Sequence, residues 1–152
     1  MSTAGKIAKY IIAIFQGAGD PIDNLKLQKL LYYVQGWHLV AFDKPAFNER
    51  IEAWAHGPVQ PATYGDYKHY RWSPISVEVA VPELDADLAD LIKEVLDAYG
   101  GETGYELELR THREPPWLEA RGDTPEGQES NAIITQASMK KYFKSLVDES
   151  GT

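Results

Sequence analysis

The chain has no cysteine among its 152 residues. Disulfides, thiolate zinc sites and cysteine nucleophiles are thereby excluded. A small disulfide-held secreted scaffold is excluded with them, and the composition fits a reducing cytoplasm. Long apolar runs are also missing. The N-terminal stretch MSTAGKIAKYIIAIF is broken by Lys9 and Tyr10, well short of the roughly 18 apolar residues of a membrane span. No small-residue cleavage site follows it. It reads as a folded helix of a soluble cytoplasmic protein with no membrane association.

Positive charge is scarce. Fifteen Lys and Arg stand against twenty-three Asp and Glu, a net charge of -8. Nucleic-acid binders usually show a basic face, and this field opposes DNA. It favours encounter with a basic protein partner, or simply solubility.

Catalytic signatures are absent as well. No P-loop or GxGxxG precedes a helix, so nucleotide binding has no support. There is no HExxH, and His38, His56, His69 and His112 lack metal-ligand spacing, so no metal or cofactor is expected. Ser73, Ser76, Ser130 and Ser138 stand outside any nucleophile-elbow context. The many carboxylates sit where helix caps and solvated faces would put them, and RGD at 121–123 reads as turn chemistry. The chain is read as a non-enzyme.

What is present is helical periodicity with aromatic punctuation. Ser2 or Thr3 caps a first helix with Ile7, Ile11, Ile14 and Phe15 inward, ended by Gly17, Gly19 and Pro21. Asp23 or Asn24 caps a second, with Leu27, Leu30, Leu31, Val34 and His38 on one stripe, Trp37 at its edge, and Lys26, Gln28 and Lys29 on the other side. Gly36 inside it implies a close packing contact. Ile51 to Ala55 reads as a short strand, and Pro58 suits the first turn of a helix running through Tyr64 and Tyr67 to about Tyr70. Ser76 to Val81 alternates and is β-branched, which predicts a second strand paired with Ile51. Asp85 caps a helix with Leu84, Leu88, Leu91, Ile92, Val95 and Tyr99 inward, stopped by Gly100 and Gly101. Thr103 and Glu106 have capping-box spacing. Pro115-Pro116-Trp117 opens a short helix, Arg121 to Asn131 is an exposed loop, and Thr135 caps a last helix carrying Met139, Tyr142, Phe143 and Leu146. The expected fold is mainly α with a small antiparallel β element (α+β): a compact domain of about six to seven helices over 1–149, with a frayed end at 150–152.

Two clusters stand out as candidate binding faces. One is Trp54-Ala55-His56-Gly57-Pro58-Val59 with Tyr64 and Tyr67. There a strand end meets a helix start, whose free N–H groups can hold a partner's carboxylate. The other is Arg110 to Trp117, where His112 at a helix C-terminus would have its charged form favoured and form a polar hub with Glu114. The candidate partner-binding residues are Trp54, His56, Tyr64, Tyr67, His112 and Trp117. Tyr and Trp anchor interfaces more often than other residues, while the plainer reading makes the same side chains framework. A helix-turn-helix reading would aim Lys26 and Lys29 at DNA, and the charge balance opposes it.

The run LKLQKLLYY at 25–33, Glu52-Ala53-Trp54, Gly57-Pro58-Val59 with Tyr64, Thr111-His112, Pro116-Trp117 and the helix from Met139 to Phe143 together resemble the Panacea domain family of SocA-like, phage-associated GepA-type antitoxins. The resemblance runs from the first helix to about Leu146, and LKLQKLLYY followed by EAW and GPV is far more specific than any one short motif. It implies a prokaryotic or phage antitoxin of a toxin–antitoxin system. Such a protein neutralises a cognate toxin by direct binding, and the acidic balance fits a basic one. The resemblance also admits a proteolytic adaptor delivering the toxin to a ClpXP-type protease, and a DNA-binding autoregulator is kept beside it as a separate alternative. The chain departs from the family pattern at Arg110, where a small apolar residue is more common, and at His56, where an aromatic such as Tyr is common. Both departures bear on partner choice rather than fold.

Overall fold

A computed structural model describes residues 2–149; the expected fraying at 150–152 lies outside them. Seven helices and a three-stranded antiparallel sheet make up the described residues. They are α1 (Ala4–Gly17), α2 (Asn24–Phe42), α3 (Pro61–Tyr67), α4 (Ala86–Tyr99), α5 (Gly104–Thr111), α6 (Pro115–Arg121) and α7 (Gln136–Glu149), with β1 (Ile51–Trp54), β2 (Gly57–Val59) and β3 (Ile133–Ile134). Local chemistry sets several ends. Thr3 and Asp23 accept the N–H groups of Lys6 and Lys26, capping α1 and α2. Thr103 and Glu106 form both halves of the capping box on α5. Asp43 closes α2 in the left-handed region.

The core is organised around α2, which is buried without interruption from Leu27 to Gly36. It packs against α1, α3, α4, α5 and α7. A helix covered on all sides cannot keep its polar residues in water, so Gln28 and Lys29 are inside, contrary to the expectation of an outer polar face. Gln28, Lys29 and Gln35 each have a partner inside. The Gln28 carboxamide oxygen accepts from the Gln60 N–H at 2.9 Å. Lys29 Nζ donates to the Pro58 carbonyl at 3.0 Å. Gln35 takes the Ala46 N–H at 2.8 Å and donates to the Phe47 carbonyl at 2.8 Å. Gly36 makes the predicted close contact: a Cβ there would lie 2.1 Å from the Phe143 ring.

The sheet corrects two sequence expectations. Its order is β2-β1-β3. Pro58 does not start a helix; it lies in β2 opposite Ala53. It is tolerated there because Ala53 points its backbone the other way, its N–H donating to the Ala132 carbonyl at 2.8 Å and its carbonyl accepting from Arg121 at 2.9 Å. No donor is missed at Pro58. The helix begins three residues later at Pro61, and the segment to Tyr70 finishes as a 3-10 turn, Lys68–Tyr70. Ser76 to Val81 forms no strand and bends at Val77. The place beside β1 belongs to Ile133 and Ile134.

Candidate functional site

Trp54, His56 and Tyr64 come together on one wall of an open cleft of about 900 Å³ formed by α2, the β1–β2 hairpin, α3 and the turn after it. The Trp54 and Tyr64 rings meet edge to face at 4.9 Å. Trp54 is oriented by its own strand, its indole N–H donating to Glu52 Oε1 at 2.8 Å. Glu52 in turn is held by Arg50 at 2.6 Å. Tyr64 is fixed through its carbonyl, which accepts from Asn24 Nδ2 at 3.1 Å. His56, at the exposed hairpin tip, lies 3.3 Å from Glu108 Oε2.

Lys68, Arg71 and Trp72 also line the cleft, and the sequence reading did not single them out. Trp72 is 76% exposed. A tight turn holds it there: Ser73 N–H donates to the Tyr70 carbonyl at 2.9 Å, and Arg71 sits at φ 55, ψ -117. That conformation favours glycine, and a bulky residue in it is strained. Strain held in place beside an exposed tryptophan is the signal that marks this part of the cleft, and it is invisible to periodicity. Lys68 and Arg71 have no acidic partner among the described residues, while Glu129 brings the opposite sign to the same cleft.

Beneath the cleft, Lys29 is wholly enclosed, and burial lowers its pKa to about 7 against the opposing pull of Glu108 and Asp23. Gly57, at φ 105, is required above it: a Cβ would lie 2.7 Å from Lys29 Cε and 2.9 Å from Thr111 Oγ1. The expected carboxylate-holding helix start is closed from within. Gln60 caps α3 through Thr63 N–H at 2.9 Å and is itself buried.

The other predicted residues are placed elsewhere. Tyr67 is buried in the core. Trp117 is 2% exposed, and its indole N–H donates to the Trp54 carbonyl at 2.8 Å. The second predicted cluster thus props the first from behind. The Arg121 guanidinium lies 4.7 Å over the Trp117 ring and bonds the carbonyls of Ala53, Pro125 and Gln128. Arg121 is therefore inside the structure and not part of an exposed loop. His112 stacks on Trp117 at 4.1 Å and 13°. Its Nδ1 is 3.4 Å from Glu126 Oε1, an ion-pair distance without hydrogen-bond geometry, and neither ring nitrogen has a hydrogen-bond partner. Burial lowers its pKa, outweighing Glu108 and Glu126, so the charged form expected at a helix end is disfavoured. Nor does His112 meet Glu114. That carboxylate accepts from Tyr32 and Tyr33, each at 2.9 Å, and burial raises its pKa to about 7. Arg110, the departure noted in the sequence, pairs on the surface with Glu102 at 2.6 Å.

The profile of the SocA-like antitoxin family, the Panacea domain, matches residues 27–118, more than half of the chain. This chain belongs to the SocA-like antitoxin family. The match takes in α2 from Leu27 onward, the hairpin, the cleft residues from Gln28 to Trp72 and the start of α6 with Trp117, while α1, α7 and the cleft residues Glu129 to Asn131 lie outside it. Over 44 residues the chain is 52% identical to Antitoxin SocA of Caulobacter vibrioides (strain NA1000 / CB15N), a stretch that is 29% of this chain and 23% of that protein. No solved structure matches the chain. No described helix is long and apolar enough to cross a membrane. The two lysines that a helix-turn-helix reading of this Panacea chain would point at DNA are both engaged: Lys29 as above, and Lys26 with the Gly100 carbonyl at 2.6 Å.

Proposed function

We propose that this chain is the antitoxin of a toxin–antitoxin pair and neutralises its toxin by direct contact at the Trp54–Tyr64–Trp72 cleft. Family membership supports the antitoxin role. The observation that carries the site is the exposed Trp72, held by a strained turn, lining the same cleft as an edge-to-face Trp54–Tyr64 pair. Rigid aromatic surface around a cleft of this size suits an apolar anchor on a partner, and such anchors dominate binding energy. The cleft carries both signs of charge, so selectivity rests on the aromatic surface. His56 at the lip is where a change of residue alters partner choice without disturbing the fold.

Co-expression with the product of the adjacent open reading frame tests the reading. That product is expected to arrest growth alone, to be harmless beside this chain, and to co-purify with it. A neighbour that is harmless alone, or lethal in the chain's presence, overturns the proposal. Toxin half-life separates sequestration from delivery to a protease: sequestration leaves it unchanged or longer.

A further inference from the structure

Lys68 and Arg71 set the charge of what enters the cleft. Both line it together with Trp72, both are exposed, and neither forms an ion pair among the described residues. Arg71 is the more telling of the two. Its φ of 55 and ψ of -117 suit glycine, and Gly122 has nearly the same angles. A bulky residue is held there under strain, and such strain is kept where a side chain is used, as at ligand clamps. The use of an exposed, unpaired guanidinium is to meet an anion.

The acids of the cleft do not cancel this charge. Glu52 is neutralised by Arg50 at 2.6 Å and takes the Trp54 indole N–H at 2.8 Å. Glu129 is the other acid in the lining. Against it stand Lys68, Arg71 and, beneath the cleft, Lys29, half-charged near pH 7. The cleft is thus a basic spot on a chain of net charge -8. An acidic partner element is repelled by the rest of the surface and accepted only here, which fixes where it docks. A nucleic acid fits less well: two surface cations are few for a phosphate backbone, and the field of the whole chain repels one. We infer that the toxin sets an Asp or Glu side chain against Lys68 and Arg71, next to the apolar anchor that meets Trp72. This rests on the reading of the cleft as the toxin contact. The aromatic surface selects the anchor, and the two cations select the residue beside it. A toxin of net positive charge meets the requirement, since only that residue is specified.

The test measures the affinity of the full chain for the product of the adjacent reading frame by calorimetry, with both proteins treated with nuclease. No complex with the unsubstituted chain removes the antitoxin reading and this inference together. An unchanged affinity in Trp72→Ala removes the cleft, and this inference with it. Given a complex that needs Trp72, Lys68→Glu is expected to weaken binding at least about tenfold with an unshifted unfolding midpoint, and Lys68→Arg to keep it. Glu129→Lys is expected to tighten binding about threefold and to speed association at low salt. Glu129 is exposed and outside every helix and strand, so it serves where Lys68→Glu disturbs the turn. The opposite signs, tighter for Lys68→Glu and weaker for Glu129→Lys, give the occupant a positive charge and overturn the inference. Affinity unmoved by either substitution also overturns it and leaves the aromatic cleft standing. A complex lost on nuclease treatment assigns the two cations to nucleic acid and overturns it as well.

Discussion

The Trp117 corner and the Trp54 cleft use the same kinds of side chain to opposite ends. At the corner, Trp117 is buried between His112 and Arg121, and its indole donates to the protein's own backbone. At the cleft, Trp54 is half-buried and Trp72 stands in solvent. The turns beside them sharpen the contrast. Gly122, after α6, has φ 54 and ψ -120, and Arg71, beside the cleft, has φ 55 and ψ -117. The corner takes this conformation with the residue that holds it at no steric cost, and the cleft takes it with one that is strained. Each region also hides an ionisable group displaced toward neutrality: Glu114 at the corner, raised to about 7, and Lys29 under the cleft, lowered to about 7. A closed joint and an open site are told apart by where the polar atoms go, not by residue type.

The largest expected effect belongs to the joint. Trp117→Ala should cost about 3–5 kcal/mol of folding stability, as for other buried aromatics, read by denaturant unfolding; a loss under about 1 kcal/mol would mean the corner is not the prop described. Next is the pH dependence of Glu114. Its native pKa lies above the unfolded 4.5, so the folded state holds the proton more tightly. The stability it contributes is complete below pH 4.5 and is lost as pH rises through about 7, on the order of 3 kcal/mol in all. Glu114→Gln should flatten that slope. Lys29 has the opposite sign: its native pKa is below 10.5, so its contribution to stability rises from about pH 7 to 10.5, and Lys29→Met should remove that rise. A slope unaffected by either substitution would show that the two groups are not held as described.

A smaller loss is expected from Gly36→Ala, about 1–3 kcal/mol, because the added methyl meets the Phe143 ring. Its unfolding midpoint would fall, and a neutral result would require Phe143 to move without cost. The smallest effect is a gain. Arg71→Gly should relieve strain and raise stability by about 1 kcal/mol, while loosening Trp72 and weakening toxin binding; a loss of stability would refute strain at Arg71.

Helix caps and stripes were legible in the sequence because they are local. Thr3, Asp23 and the Thr103–Glu106 box cap where spacing placed them, while Asp85 holds the N-cap position of α4 without a side-chain hydrogen bond. Pro58 was not, because the preference for proline at a helix start competes with its fitness for a strand position that needs no donor. Lys29 was misplaced because a helical wheel sends lysine outward, and only the tertiary cover of α2 by its neighbours brings it in. Ser76 to Val81 shows the converse: alternation reports that a segment suits a strand, not that a neighbour exists. For the cleft proposed as the site, Trp54, His56 and Tyr64 could be picked as aromatic and turn residues around one hairpin. Trp72 and the Arg71 turn could not, since backbone strain and exposure belong to the folded chain.

The most direct test is the affinity of Trp72→Ala for the adjacent gene's product, measured by calorimetry beside an unfolding curve. Trp72 contributes little to the core, so stability should stay within about 0.5 kcal/mol of the unsubstituted chain. Affinity should fall about 30-fold, the loss of an interface anchor worth about 2 kcal/mol. An unchanged affinity with an unchanged fold would contradict the assignment of the cleft as the toxin contact.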